Sequence, residues 1–343
     1  MENKKPVLVD AVFINNGGGK ILLDYLFQEV DRRKMWCHFL IDARLKQEYE
    51  KLGNKHIEIK IIDGFLERVS FYRNNRTEFQ NVLCFGNIPP TRRLNAKTFT
   101  YFHQLIYLSI PPEFKLLDQL KFTVKIAILR LLRKNTDYWL VQNSFTRQAL
   151  IGKFNLRAPK VLSVPFYPPL ISMENYVRTA NSFIFVSNAN PHKNHRNLIE
   201  AFCQFYDQNK EGKLTVTVNE NFPEICELIQ EKVMSGYPIH NIGFISREKL
   251  SAEYRRHQYL IFPSLSESFG LGIVEAIENG CKIIGVDLSY TYEVCEPSII
   301  IEKPHNVEKI LKAMNESRDY GSIPFSKQKV YNEIEKLLNL LEN

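Results

Sequence analysis

The sequence lacks the features that mark several common protein classes. Its six cysteines, at positions 37, 84, 203, 226, 281 and 295, include no C-x-x-C pair, and no histidines cluster at ligand spacing. This argues against a zinc module and a disulfide framework, and for free thiols in a reducing compartment. No apolar run approaches the ~18 residues that a membrane-spanning helix needs. The N-terminal run MENKKPVLVDAVFINNGGGK is broken by Asp10 and ends in glycines, unlike a secretory leader, so a cytoplasmic protein is expected. Neither a G-x-G-x-x-G dinucleotide fingerprint nor a G-x-x-x-x-G-K-[ST] phosphate loop occurs. There is no Asp-x-Asp, no internal repeat and no low-complexity tract.

What is present is an ordinary globular composition, 44% hydrophobic and 24% charged, over 343 residues, enough for two domains. The net charge of +7 conceals an asymmetry: residues 1–165 carry 27 Lys and Arg against 15 Asp and Glu, whereas residues 166–343 carry 18 against 23. Two domains with different electrostatic tasks are implied. Short apolar runs alternate with helical periodicity throughout, the pattern of parallel sheets covered by helices. Strands are expected at 6–14, 36–41, 57–62, 82–85, 98–102 and 138–142, then again at 183–187, 214–218, 239–244, 259–263, 282–286 and 298–301. Helices are expected at 21–33, 196–206, 223–233, 247–256, 272–279, 307–314 and 327–341. The proline-dense stretch 161–169 reads as an interdomain connection. Two doubly wound domains follow, residues 1–165 and 166–322, facing a central cleft, with a terminal helical segment at 323–343.

The stretch SESFGLGIVEA, residues 266–276, lies between two apolar runs and places seven residues between Glu267 and Glu275. Strand, glycine turn and helix make an anion site, because the first amides of a helix have no intrahelical acceptor. Glycine at 270 and 272 permits close approach of a phosphate, and a carboxylate suits ribose hydroxyls. Taken alone, two glutamates here also fit a plain helix start with acids near its positive end.

The run E-S-F-G-L-G-I-V-E resembles the E-x7-E motif of retaining GT-B glycosyltransferases of the family 4 type. The resemblance implies that Glu275 binds the donor's ribose, that Glu267 lies near the transferred sugar, and that Ser268, Phe269, Gly270 and Leu271 bring amides to the diphosphate. Residues 183–198 are similar to that family's first strand-loop-helix of the nucleotide domain, which makes Lys193 a diphosphate contact. The family's usual arginine five residues earlier is Asn188 here, and Arg196 or Arg247 are candidate substitutes; Lys282 stands where proline is usual. The loop 15–20 matches the family's small glycine loop, with Gly18 and Gly19 approaching the diphosphate, and His103, in Tyr-Phe-His-Gln, matches a histidine that contacts the sugar.

The implied fold is α/β, GT-B, with two Rossmann-like domains and a C-terminal helix packing back on the N-terminal domain. The implied activity is hexosyl transfer from a nucleotide-diphosphate sugar to a glycan or lipid-linked saccharide, needing neither metal nor other cofactor, in bacterial surface polysaccharide synthesis. A GT-B epimerase and a non-catalytic GT-B partner subunit stay open as alternatives. Nucleic acid is not an expected partner, since the basic half has no recognisable recognition module. The apolar and basic segment 114–134, with no acid after Asp118, suits peripheral contact with an anionic bilayer at the inner face of the plasma membrane.

Overall fold

The computed structural model describes residues 5–110, 116–170 and 176–343. It comprises two compact units, Met1–Pro168 with Tyr331–Asn343, and Pro169–Val330. The first contains β1 (Val7–Ala11), α1 (Gly17–Arg32), β2 (Cys37–Asp42), α2 (Lys46–Tyr49), β3 (Ile57–Ile62), α3 (Gly64–Asn74), β4 (Asn81–Cys84), β5 (Lys97–Phe102), α4 (Leu116–Leu132), β6 (Tyr138–Val141), α5 (Ser144–Phe154) and β7 (Val161–Ser163). Its seven strands run in the order β3-β2-β1-β4-β5-β6-β7, all parallel. Such a sheet is covered on both faces, so β1 and β4 are buried at every position and read as continuous rather than alternating apolar runs. One cluster packs Phe71 and Tyr72 of α3 against Leu8, Leu40 and Val82; another packs Leu129 of α4 and Leu150 of α5 against Phe102 and Trp139.

The second unit repeats the plan with β8 (Thr179–Phe185), α6 (His195–Asn209), β9 (Lys213–Val216), α7 (Pro223–Met234), β10 (Ile239–Asn241), α8 (Arg247–Arg256), β11 (His257–Phe262), α9 (Leu271–Glu278), β12 (Lys282–Val286), α10 (Ser289–Val294), β13 (Cys295–Glu296), β14 (Ile299–Ile301), α11 (Val307–Glu316) and β15 (Lys327–Gln328). Its parallel sheet has the order β10-β9-β8-β11-β12-β14, while β13 and β15 form a short antiparallel pair. Lys282, at the head of β12, is buried; its ammonium donates to the carbonyls of Tyr320 and Ile323 and lies over the Tyr320 ring.

Two expectations change. The stretch 161–169 is not all connection, because Val161–Ser163 is the edge strand of the first sheet, paired with β6. The terminal segment is not one helix: residues 327–328 are the strand β15, and α12 (Ile334–Glu342) begins only after Asn332, whose side chain accepts the Ile334 N–H. The amphipathic pattern that suggested a long helix belongs to Ile334, Leu337, Leu338 and Leu341, all buried within the first unit. There Asn81 at the start of β4 donates to the Leu341 carbonyl at 2.8 Å, and Arg33 on the far end of α1 pairs with Glu335 and Glu342.

Asp10, which interrupts the first apolar run, is a buried anion in the middle of β1. Arg68 of α3 donates its Nε–H to the Asp10 carboxylate at 2.7 Å, and the Tyr72 hydroxyl donates to the same oxygen. The Arg68 Nη2 also donates to the carbonyls of Ile88 and Pro89, at 2.8 and 3.1 Å, fixing the connection that leaves β4. At that exit Gly86 is obligatory, since a Cβ there would come within 2.3 Å of the Val12 carbonyl oxygen. Burial opposes the Arg68 charge most strongly, but Asp10, Tyr72 and Cys84 together offset it and leave the guanidinium pKa raised. Replacing Asp10 by Ala strands a buried cation, and the expected cost is about 3–5 kcal/mol, read as a fall in the urea midpoint with an unchanged slope.

Candidate functional site

In a doubly wound sheet, ligands bind beyond the carboxyl ends of the strands where the strand order reverses. That point lies between β8 and β11 in the second unit and between β1 and β4 in the first. The residues singled out in the sequence fall on the connections that leave these strands and their neighbours.

In the second unit, Lys193 ends a short turn after β8 and Glu267 lies in the turn after β11; their side chains form an ion pair at 2.5 Å. The two turns are laced together. Leu265 N–H donates to the His192 carbonyl at 2.7 Å, and Asn194, at φ +65°, donates through its side chain to the carbonyls of Pro263 and Pro304. Gly270 takes φ +78° as the residue before α9, which a side chain would strain. The helix starts at Leu271, so Ser268, Phe269, Gly270 and Leu271 run directly into its positive end. Phe269 is buried and anchors the turn.

Glu275 lies one turn into α9 and is only 3% exposed. The Arg247 Nη1 donates to its Oε1 at 2.7 Å from the start of α8. Burial pushes the Glu275 carboxyl upward, and the Arg247 charge pulls against it. The structure thereby separates the two arginines considered as substitutes for Asn188: Arg196 pairs with Glu224 on the surface, whereas Arg247 pairs with Glu275.

In the first unit the glycine segment is not a loop. Residues 17–19 form the first turn of α1, which starts four residues earlier than apolar periodicity suggested. Glycine is a poor helix former, but a helix's first turn loses little from it, and Lys20 N–H already donates to the Asn16 carbonyl. A Cβ on Gly18 would meet nothing within 4 Å, whereas a Cβ on Gly19 would lie 3.4 Å from Nε2 of His103. His103 follows β5 and packs against Phe85, ring centroids 5.4 Å apart. Burial pushes its imidazole down to about 4. Its Nδ1 is buried with no hydrogen-bond partner among the described residues. Also among the described residues, no group of three or more His, Cys, Asp or Glu side chains is placed to hold a metal ion.

Residues 174–319 match the model of the family described as glycosyl transferases group 1. The serotype-specific mannosyltransferase WbdA of Escherichia coli is 29% identical over 119 residues, 34% of this chain and 15% of that protein. The chain thus spans only a minor part of that curated relative. WaaG, a glycosyltransferase involved in lipopolysaccharide biosynthesis, superposes with a TM-score of 0.70 at 15% identity over 98% of this chain and 99% of that one. HepE of Anabaena, solved in complex with UDP, gives 0.67 at 14% identity over 93% and 91%.

The fold is GT-B.

Within this GT-B chain the structure joins Lys193 to Glu267 and Gly19 to His103, each pair inside one unit. Sequence reasoning missed Asn87 altogether, although its side chain holds the main chain at His103. It named Arg247 only as a possible substitute for a phosphate-binding cation, not as the partner of Glu275. The one available signal for Asn87 was the turn-forming Gly-Asn that ends the β4 run.

A second histidine, His195 at the start of α6, is buried against the Phe185 ring with neither ring nitrogen bonded among the described residues. Burial first, and the Lys193 charge second, push it down to about 3. An unfolded histidine takes up its proton near pH 6.5, whereas folded His103 and His195 stay neutral until about 4 and about 3. The unfolded chain therefore binds more protons below pH 6.5, and these two groups lower stability as the pH falls through that window. Urea unfolding at constant ionic strength is expected to show a smaller loss between pH 6.5 and 4 in His195→Leu than in the wild type.

Proposed function

We propose that the chain is a retaining glycosyltransferase that moves a hexose from a nucleotide-diphosphate sugar to a glycan or lipid-linked saccharide in surface polysaccharide synthesis. The observation that carries this reading is the glycine turn between Glu267 and Glu275, set at the carboxyl end of β11 and furnished with two cations, Lys193 and Arg247. The family match over residues 174–319 supports it, as do relatives named as mannosyltransferases and a similar fold solved with UDP.

In this reading Glu275, oriented by Arg247, accepts the ribose hydroxyls, and the amides of 268–271 receive the diphosphate at the start of α9. Lys193 leaves Glu267 to meet the diphosphate, which frees the Glu267 carboxylate for the sugar. The bond from the anomeric carbon to the diphosphate oxygen breaks as the acceptor hydroxyl attacks from the same face. The acceptor's proton passes to the departing phosphate oxygen, and positive charge on the sugar is stabilised by Glu267. Lys193 and the helix amides offset the charge of the leaving diphosphate without calling on a metal. Gly18 and Gly19, in the first unit, serve the diphosphate and the acceptor, and His103 serves the sugar and its acceptor.

The acceptor side carries an apolar and basic surface. Helix α4 exposes Leu116, Leu117, Leu120, Val124 and Leu131 beside Lys121, Lys125 and Arg130. Residues 114 and 115 of the same segment lie outside the described residues. No described helix is long and apolar enough to cross a membrane. The exposed leucines and cations suit peripheral docking on an anionic bilayer, each basic residue near the surface contributing about 1 kcal/mol.

Glu275→Ala is expected to weaken nucleoside diphosphate binding by about 1–3 kcal/mol, the consequence of leaving buried polar partners unpaired; unchanged calorimetric affinity would remove the ribose assignment. A Leu117→Asp, Leu120→Asp double variant is expected to lose co-sedimentation with phosphatidylglycerol vesicles that the wild type shows at low salt. Indifference of the wild type to such vesicles would end the membrane reading.

A further inference from the structure

The connection leaving β4 carries a buried asparagine in an unusual conformation. Asn87 takes φ +67°, a left-handed backbone that asparagine and aspartate tolerate better than most residues. Its side-chain oxygen accepts two main-chain N–H groups, from His103 at 2.8 Å and from Gln104 at 3.2 Å. An amide has one acceptor atom and one donor atom, so holding two donors fixes which end is which. The NH2 end is then the one that faces His103 Nε2, at 3.5 Å.

A donor tolerates a ring nitrogen as its neighbour when that nitrogen carries a lone pair. The proton of the neutral ring therefore belongs on Nδ1, the atom that is buried without a partner among the described residues. The mount is stiff. Arg68, neutralised by Asp10, grips the carbonyls of Ile88 and Pro89 immediately after Asn87, and Gly86 immediately before it touches the Val12 carbonyl. Gly19 of α1 lies beside Nε2, where a Cβ would come into contact at 3.4 Å.

We propose that Asn87 is a positioning residue that fixes His103 as the neutral, Nδ1-protonated imidazole, so that Nδ1–H is a hydrogen-bond donor for a ligand oxygen. Taking that oxygen to belong to the transferred sugar rests on the glycosyltransferase reading above. A neutral donor has a specific advantage there: it holds a hydroxyl without setting a cation beside an anomeric carbon that is itself becoming positive.

The test reads the tautomer directly. Two-bond proton–nitrogen correlation spectra of the full chain with labelled histidine, at pH 7.5, are assigned by the signals lost in His103→Gln. The wild type is expected to show the Nδ1–H pattern for His103; an Nε2–H pattern overturns the proposal whatever the enzyme's activity. Asn87→Asp keeps an acceptor for both main-chain N–H groups and suits the same backbone, but offers Nε2 an acceptor in place of a donor. In that variant the proton is expected to move to Nε2, and kcat to fall at least about tenfold with the donor KM within about twofold, the split expected when an interaction specific to the transition state is lost. A variant with the moved proton and an unchanged kcat overturns the positioning role. A wild type that shows the Nδ1–H pattern but turns over no nucleotide sugar supports the tautomer assignment and overturns the glycosyltransferase reading instead.

Discussion

Parallel pairing obliges every strand of a sheet to release its carboxyl end at the same edge, and the chemistry of this chain depends on that constraint. In the second unit it sets the turns after β8 and β11 side by side, which is why Lys193 and Glu267, 74 residues apart, can pair. In the first unit it sets the exits of β1, β4 and β5 in a row, so that Gly19, Asn87 and His103 meet. Two glycines at these exits are required, one by crowding and one by its backbone. Gly86 lies where two strand exits touch, and Gly270 where the chain turns sharply into a helix.

Around the turn after β11 the second unit holds its charges in internal pairs. Glu267 occupies Lys193, and Glu275, almost wholly buried, is held by Arg247. A carboxylate buried this deeply without a counter-charge would be costly, so Arg247 is what lets Glu275 lie inside the second unit. The two pairs differ. Arg247 fixes one oxygen of a carboxylate that is almost wholly buried, whereas Lys193 and Glu267 are both partly exposed in the turns after β8 and β11.

Much of this was legible in the sequence where the information is local. The turn between Glu267 and Glu275 needs only consecutive residues, and the run at 282–286 became a strand buried at every position, where parallel strands covered on both faces leave an unbroken hydrophobic signature; at 57–62 the edge strand β3 alternates instead, with Glu58 and Lys60 exposed. What escaped depends on pairs distant in the chain. Asp10 reads as a flaw in an apolar run until Arg68, 58 residues later, is seen to neutralise it. Asn87 has no meaning until β4 and β5 are paired, and Arg247 none until α8 is laid beside α9. Periodicity also misled at the chain's end, where the leucines of α12 drew the helix back over residues that pair as a strand with Cys295 and Glu296. At 17–19, the low helix propensity of three glycines was overridden by a helix that simply begins there.

The return of residues 331–343 to the first unit has a consequence for synthesis. The second unit is one uninterrupted stretch, Pro169–Val330, and has all its strands before the last helix is made. The first unit is split in the chain: the side-chain amides of Gln80 and Asn81, at the head of β4, donate to the carbonyls of Glu342 and Leu341. In order of synthesis the first unit therefore receives α12 only after the whole of the second unit has been made.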